Sequence, residues 1–553
     1  VQQPQDSTHV TSVRQAIDIR QYPGFRRLAV DYAYAFDRVA DAFAGNPASL
    51  AAWRETVGRV QAHAATRDRH AVADALLAQQ QKRGAPPESR ASAELLRDAS
   101  TVAVVTGQQA GLFGGPLFTL LKAVTAIKVA RRVHQELGVP AVPIFWIDAE
   151  DHDWNEVAGA TVLDADYAAT SVRLADPDGA GTLPVARLTM DASIADVIDR
   201  LAAILPPTEF TGTLLTRLRA TYRPGAGLSD AFGRWLEFVL GEFGLVVYCS
   251  ADPATKPLVR HVFAREAQFP GMTAELAASA GQALVERGYH SQVEPHADAL
   301  AMFSLDDGRT SIRHTAGQYE VGGRTMTLPA LLADIDSRPE AYSPNVLLRP
   351  IVQDTLFPTV SYVAGPNELA YLGQLRPVYG HFGVPMPLMY PRGSATLLDS
   401  AGARFLERYT VPLASLQAQD ESALNHLLET LLPPEVEQSL TAAAAAIDAQ
   451  LGRVIAAVPT IDPTLEGAAR SVQGKVVHEL QGLHHKVISA AKRRDDTLRR
   501  QFTKTRALAF PNGHAQERTV GFVYFLNRYG PGLVDTLLAD LPVELGSHWL
   551  LTV

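Results

Sequence analysis

Cysteine is nearly absent: Cys249 is the single one in 553 residues, so the chain can form no internal disulfide and no cysteine-based zinc site. It ends the apolar run Leu245-Val246-Val247-Tyr248, and its plain reading is a small buried hydrophobe. Positive charge is also short, with 50 Lys and Arg against 59 Asp and Glu and a formal net charge of −9. A nucleic-acid binder draws much of its affinity from a basic face on phosphates, so no nucleic-acid partner is expected. Long apolar runs are lacking too. Charge or glycine interrupts the apolar stretches before the roughly 18–20 residues that a membrane span needs. Val1 to Ser12 is polar, without the apolar centre of a signal peptide. These absences predict a cytoplasmic protein without a membrane partner. Internal repeats are missing, and the alanine run Ala442 to Ala446 is the nearest approach to low complexity.

What is present is an ordinary globular composition, 47% apolar and 20% charged, long enough for several structural units. Residues 1–100 read as a helical lead-in, with Leu28, Tyr32, Phe36, Val39 and Phe43 at helical spacing. At Thr101 the pattern changes. Thr101 to Val105 is a β-branched run, the glycine-rich segment Thr106 to Pro116 follows, and a helix is expected from about Pro116 to Leu137, stopped by Gly138. Val139 to Ile147 is the next strand. Strand, loop, helix and strand make a βαβ unit, which favours a parallel sheet.

Residues 101–155 are therefore read as the first half of a doubly wound α/β core, 156–240 as an inserted α/β segment, and 241–400 as the second half with its own insertion. Residues 401–508 read as a helical hairpin. Val436, Leu440, Ala444, Ile447, Leu451 and Val454 step by three or four, and after Pro459 to Pro463 so do Leu465, Ala469, Val472, Val476, Leu480, Leu483, Val487, Ala491, Leu498 and Phe502. A spare apolar face on such a hairpin favours a homodimer. Residues 509–553 are expected to return to the core, ending in a strand from Trp549.

Two segments could carry chemistry at the carboxyl edge of the sheet, where open α/β folds bind ligands. In the loop Gly107 to Gly115, residues Gly107, Gly111 and Gly115 admit close backbone approach, Gln108 and Gln109 add amides, and the next helix offers an N-terminus to an anion. A purely structural turn is the competing reading. The second segment is Glu150-Asp151-His152-Asp153, where carboxylates flanking an imidazole suit acid–base work or orientation of an amine. Extended backbone would set Glu150 and His152 on one side and Asp151 and Asp153 on the other. A polar strand end is the alternative, and a tightly bound metal is not expected. Gly365, Asn367 and Glu368 open another strand-to-helix turn that could face the same crevice. Arg392, near Ser394, could fork an anion, and Asn512 could contact the substrate or a nucleotide or be no more than part of a turn.

Taken in order, Val105 to Gly111, Gly115 to Phe118, Pro143 to Ile147 with Glu150 to Asp153, Tyr362 to Glu368, Pro391-Arg392 and Phe510 to Arg518 resemble the bacillithiol biosynthesis cysteine-adding enzyme family. The resemblance spans most of the chain. It implies a Rossmann-like core with insertions, a coiled-coil domain that supports dimers, and cytoplasmic thiol synthesis by joining L-cysteine to the amine of glucosaminyl-malate. ATP or ADP, with magnesium, would enter if the cysteine carboxyl is activated, with His152 taking the amine proton. The competing expectations are a nucleotide-binding α/β transferase with another acceptor and a non-catalytic nucleotide-sensing coiled-coil protein.

Overall fold

The computed structural model describes residues 14–294, 298–431, 434–494 and 496–553. The segment Val1–Ser12 and the side chain of Ala491 lie outside what is described. The chain divides into two compact units, residues 1–397 with 515–553, and residues 398–514.

The first unit is built on five parallel strands, which we number β1 (Val102–Gln109), β2 (Ala141–Asp148), β3 (Val246–Cys249), β4 (Thr359–Ala364) and β5 (Leu388–Pro391). Their order across the sheet is β5-β4-β1-β2-β3. The chain starts at the middle strand, winds one way to β3, then returns to wind the other way. The strand order reverses between β1 and β4, and this is the point where doubly wound sheets open a crevice for ligands.

Burial on both faces explains the unbroken apolar runs. Along β1, Val102 and Val104 join one core with Ala126, Val129 and Val133 of the helix Leu117–Leu137 and with Trp53, Val57 and Val60 of the helix Leu50–Ala62. Ala103 and Val105 face the opposite core with Val142, Ile144 and Trp146 of β2. Each fully buried side chain of this kind stabilises by roughly 1.5–3 kcal/mol. The N-terminal helices thus form part of the sheet's cover, and Arg14–Asp18, a strand that sequence periodicity did not show, pairs antiparallel with the C-terminal strand Ser547–Thr552.

One boundary differs informatively. Gly107, Gln108 and Gln109 belong to β1 rather than to the loop, paired in register with Trp146, Ile147 and Asp148. Glycine is required there by proximity, because a Cβ on Gly107 would stand 2.9 Å from the Trp146 carbonyl oxygen. The turn proper is Ala110 to Pro116, and the helix ends at Gly138 in a left-handed cap as expected.

Two insertions interrupt the sheet. Gly159–Leu163 and Ala169–Arg173 form an antiparallel ribbon followed by the helices Ser193–Ile204, Thr211–Thr221 and Leu228–Leu240. Between β3 and β4, five short strands from Ala299 to Pro344 make a separate antiparallel sheet.

The second unit is helical. Pro434–Ala457 and Leu465–Arg494 form the hairpin, antiparallel because Asp448 meets Gln473 and Glu437 meets His484. The seam is out of phase with the expected one in part. Among the described residues, Ile455 and Ile488 are its buried members, while Val454, Leu465, Val472 and Leu483 are 41–50% exposed. An α-helix drifts against a seven-residue repeat, so residues assigned by strict stepping rotate off the contact line. The window Glu435–Thr460 also passes the length and composition test for a membrane-crossing helix, which the sequence reading did not expect. Its alanines raise the mean hydropathy, although Asp448 and Arg453 interrupt it.

Candidate active site

A cavity of about 630 Å³ opens at the carboxyl edge, at the reversal of strand order. Its walls bring together the ends of β1 (Gly107, Gln108, Gln109), β2 (Asp148) and β4 with its following turn (Gly365, Asn367, Glu368). The helix after β1 adds Phe118 and Lys122, the second insertion adds Phe303, Arg309 and Ser311, and Asn345, Val346, Leu347 and Arg349 close another side. Local sequence sets this up: three parallel strands end together, and each hands over to a turn that cannot continue the ladder.

The lining carries five basic residues, Lys122, Arg309, Arg349, Arg392 and Arg518, and five carboxylates, Asp148, Asp151, Glu156, Glu294 and Glu368. Most carboxylates are already engaged. Glu368 accepts from Lys122 Nζ at 2.6 Å and from the Gly365 amide at 2.6 Å, with the Tyr362 and Tyr371 hydroxyls at 3.2 and 3.4 Å. Burial pushes its carboxyl up, but Lys122, the Gly365 amide and Arg349 together outweigh this and hold it below its ordinary value. Burial in turn lowers Lys122 despite Glu368. Lys122 also donates to the Gly107 carbonyl at 2.8 Å, which locks the end of β1 to the helix. Arg349 donates to Gln353 Oε1 at 3.0 Å, and Tyr362, Tyr371, Asp148 and Glu368 surround its guanidinium.

The Glu150–Asp153 run divides by role. Asp151 lines the cavity, accepting from Gln109 Nε2, from the His152 amide at 2.8 Å and from Arg309 at 3.2 Å. Burial acts to raise its carboxyl, and Arg309 with these donors brings it below the ordinary value. His152 Nδ1 stands 3.2 Å from Asp151 Oδ1 and 3.4 Å from Arg309, with its side chain 41% exposed and outside the cavity lining. Glu150 turns inward instead, into a buried ion pair with Lys256. Asp153 caps the short helix Trp154–Val157 by accepting from the Glu156 amide. Acidity at a strand end thus serves three separate purposes.

The glycine loop divides likewise. Gly107, Gln108 and Gln109 reach the cavity, whereas Gly111 and Gly115 do not. The Leu117 amide at the helix start donates to the Val520 carbonyl at 2.8 Å, and Pro116 bridges Gly521. A Cβ on Gly114 would stand 2.2 Å from the Phe522 ring. Chain from 520 to 522 therefore covers the helix N-terminus that the sequence offered to an anion. Arg392 lines the cavity, yet its guanidinium is bound bidentately by Glu517 at 2.7 and 2.8 Å. Arg392, Lys122 and Arg518 stand within 5.6–5.9 Å of the Phe118 ring centre. Asn512 belongs to the second unit, in a turn with φ 54°. Cys249 lies outside the cavity, and burial pushes its thiol up to about 11.

Sequence reasoning missed Asp148, Lys122, Glu156, Arg309, Arg349 and Arg518. Asp148 had a signal, as the last residue of a strand aimed at the binding edge. Lys122 follows Phe118 by one helical turn. Arg309 and Arg349 had none, because they arrive from an insertion and a distant helix.

Comparison with known families decides the kinship. Residues 14–393 match the family model described as bacillithiol biosynthesis BshC, N-terminal Rossmann-like domain, and residues 395–553 match its C-terminal coiled-coil domain. The chain belongs to the BshC family. Three relatives carry the name "Putative cysteine ligase BshC". The protein of Salinibacter ruber is 36% identical over 534 residues, 96% of each chain. That of Koribacter versatilis is 34% identical over 94% of this chain and 96% of its own. The Symbiobacterium thermophilum protein is 34% identical over 87% of this chain and 89% of its own. The family's members are named as ligases, and the Rossmann-like core with its coiled-coil unit is the expected architecture.

Proposed function

We propose that this chain is a cysteine ligase that joins L-cysteine to the amine of glucosaminyl-malate, completing bacillithiol, and that the cavity at the strand reversal is where it does so. The observation that carries the reading is the mixture of charges on that wall, five basic residues with five acidic ones. Both substrates bear an amine together with carboxylates, so each needs partners of both signs. A one-sign cleft would suit neither. Arg309 and Arg518 suit the carboxylates, the first held over the Phe303 ring at 3.9 Å and the second exposed over the Phe118 ring at 5.7 Å.

Amide formation needs an activated carboxyl. A nucleoside triphosphate would supply it as a phosphate or adenylate leaving group, and Lys122, Arg349 and Arg518 are the cavity cations its phosphates would meet. Among the described residues no trio of His, Cys, Asp or Glu is arranged to hold a metal ion. Magnesium would thus arrive on the phosphates, its common mode. The same reading expects work in the cytoplasm.

Mass spectrometry of protein incubated with L-cysteine and glucosaminyl-malate, with and without ATP and magnesium, tests this. A product heavier by one cysteinyl residue is expected, and its ATP dependence decides the activation chemistry. No product in either mixture sinks the ligase reading and favours a nucleotide sensor. We further propose that the exposed apolar face of the hairpin, Val454, Leu465, Val472 and Leu483, is covered by a second copy. Analytical ultracentrifugation should show a dimer that Val472→Glu with Leu483→Glu converts to monomer. An unchanged dimer would assign its contact elsewhere.

A further inference from the structure

Asp148 differs from the other carboxylates at the end of β2, and, unlike the exposed Glu294 at the rim, it is half-buried. It is the last residue of β2, beside Gln109 of β1, and its side chain lies on the cavity wall. Asp151 and Glu368 accept hydrogen bonds from named donors, and Glu150 and Glu517, just outside the lining, are paired with Lys256 and Arg392. Among the described residues, no hydrogen bond or ion pair reaches the Asp148 carboxylate. The charged groups facing it are Arg349, Arg309, Lys256, Asp151, Glu150 and Glu156, with no cation within ion-pair distance. Burial raises its carboxyl above the ordinary value, with Arg349 opposing. The side chain is half-buried, its carboxylate on the wall of the cavity and free of any protein partner, so a cationic group entering the cavity is what can complete it.

We propose that Asp148 is the amine receptor of this cavity: its carboxylate takes the cationic amino group of the sugar substrate as its missing partner. The assignment rests on the ligase reading for the identity of the sugar, and on the geometry for the class of group. A hydroxyl would satisfy one lone pair, whereas an ammonium supplies both donors and charge. The arginines around the cavity fit the acidic end of the same molecule, so amine and carboxylates are drawn to different walls. Asp148 would thereby determine specificity for a free amine over its acylated form.

The test compares glucosaminyl-malate with its N-acetyl derivative by calorimetric titration, on wild type and on Asp148→Asn. Wild type is expected to prefer the free amine by about ten- to hundred-fold, the range of a charge-assisted bond. Asp148→Asn should abolish that preference while keeping the weaker binding of the acylated compound. It should also melt no lower than wild type at pH 7, because no protein bond to the carboxylate is lost; a merely structural Asp148 would melt lower. Wild type without a preference, or Asp148→Asn that retains it, overturns the assignment. Turnover with a retained preference in Asp148→Asn leaves the ligase reading standing alone. Loss of the preference in protein that makes no cysteinyl product supports Asp148 and sinks the ligase reading.

Discussion

Glu150→Ala is expected to destabilise the first unit by about 3–5 kcal/mol, the usual result of removing one partner from a buried ion pair. The side chains of Glu150 and Lys256 are only 5% and 4% exposed. Lys256 also donates to the Tyr342 carbonyl at 3.1 Å, tying the helix Lys256–Gln268 to a strand of the second insertion. Without Glu150 the ammonium keeps one neutral acceptor and no ion-pair partner. Urea denaturation of wild type, Glu150→Ala and the double variant Glu150→Leu/Lys256→Met provides the measurement. The double variant should recover most of the loss, because matched apolar groups carry no desolvation penalty. Catalytic rates of any protein still folded should change little. A folded Glu150→Ala of normal stability that loses turnover would instead return Glu150 to the chemistry, as its place in the sequence suggested.

Acid should weaken the protein through His548, by about 2–3 kcal/mol between pH 7 and 4.5 beyond what a His548→Gln variant loses. The ring is fully buried, stacked on Tyr22 at 3.6 Å between centroids, with Ser394 Oγ 2.8 Å from Nδ1 and Thr396 Oγ1 2.9 Å from Nε2. Burial lowers its pKa to about 4, with Glu517 opposing the shift. In the unfolded chain it titrates at its ordinary value near 6.5. Between these values the unfolded state binds the extra proton, so stability is full above about pH 6.5 and falls as the pH drops toward 4. Urea midpoints of both proteins at pH 7 and 4.5 measure the difference, and equal losses would dismiss His548 as the sensor. Glu517 adds a later step. Burial raises its carboxyl, Arg392 with His548 and the Ala395 amide more than offsets this, and the stability it contributes is lost only as the pH falls through the carboxylate range.

These predictions follow from residues that the sequence showed but could not assign. Arg392 was legible as an anion partner, and it has one inside the chain, Glu517, 125 positions later. Glu150 was legible as a strand-end carboxylate, and its ligand is Lys256, 106 positions later. Pairing over such separations depends on how strands and insertions pack, which no local pattern records. Asp148 is the reverse case. Its neighbours in sequence drew attention by their density of charge, yet it is Asp148 that the fold leaves without a partner.

By itself, the sequence determined the unbroken apolar runs that bury β1 and β2 on both faces, the helical hairpin, and the order of motifs that marks the family. Those are local or collinear properties, set by side-chain periodicity and backbone stereochemistry. Only the tertiary structure decided that Gly107 to Gln109 continue a strand, that residues 520–522 close the helix N-terminus, and that Arg309 and Arg349 reach the cavity. Whether a polar group is available to a ligand depends on what else reaches it in space, and that is settled when the distant partners pack.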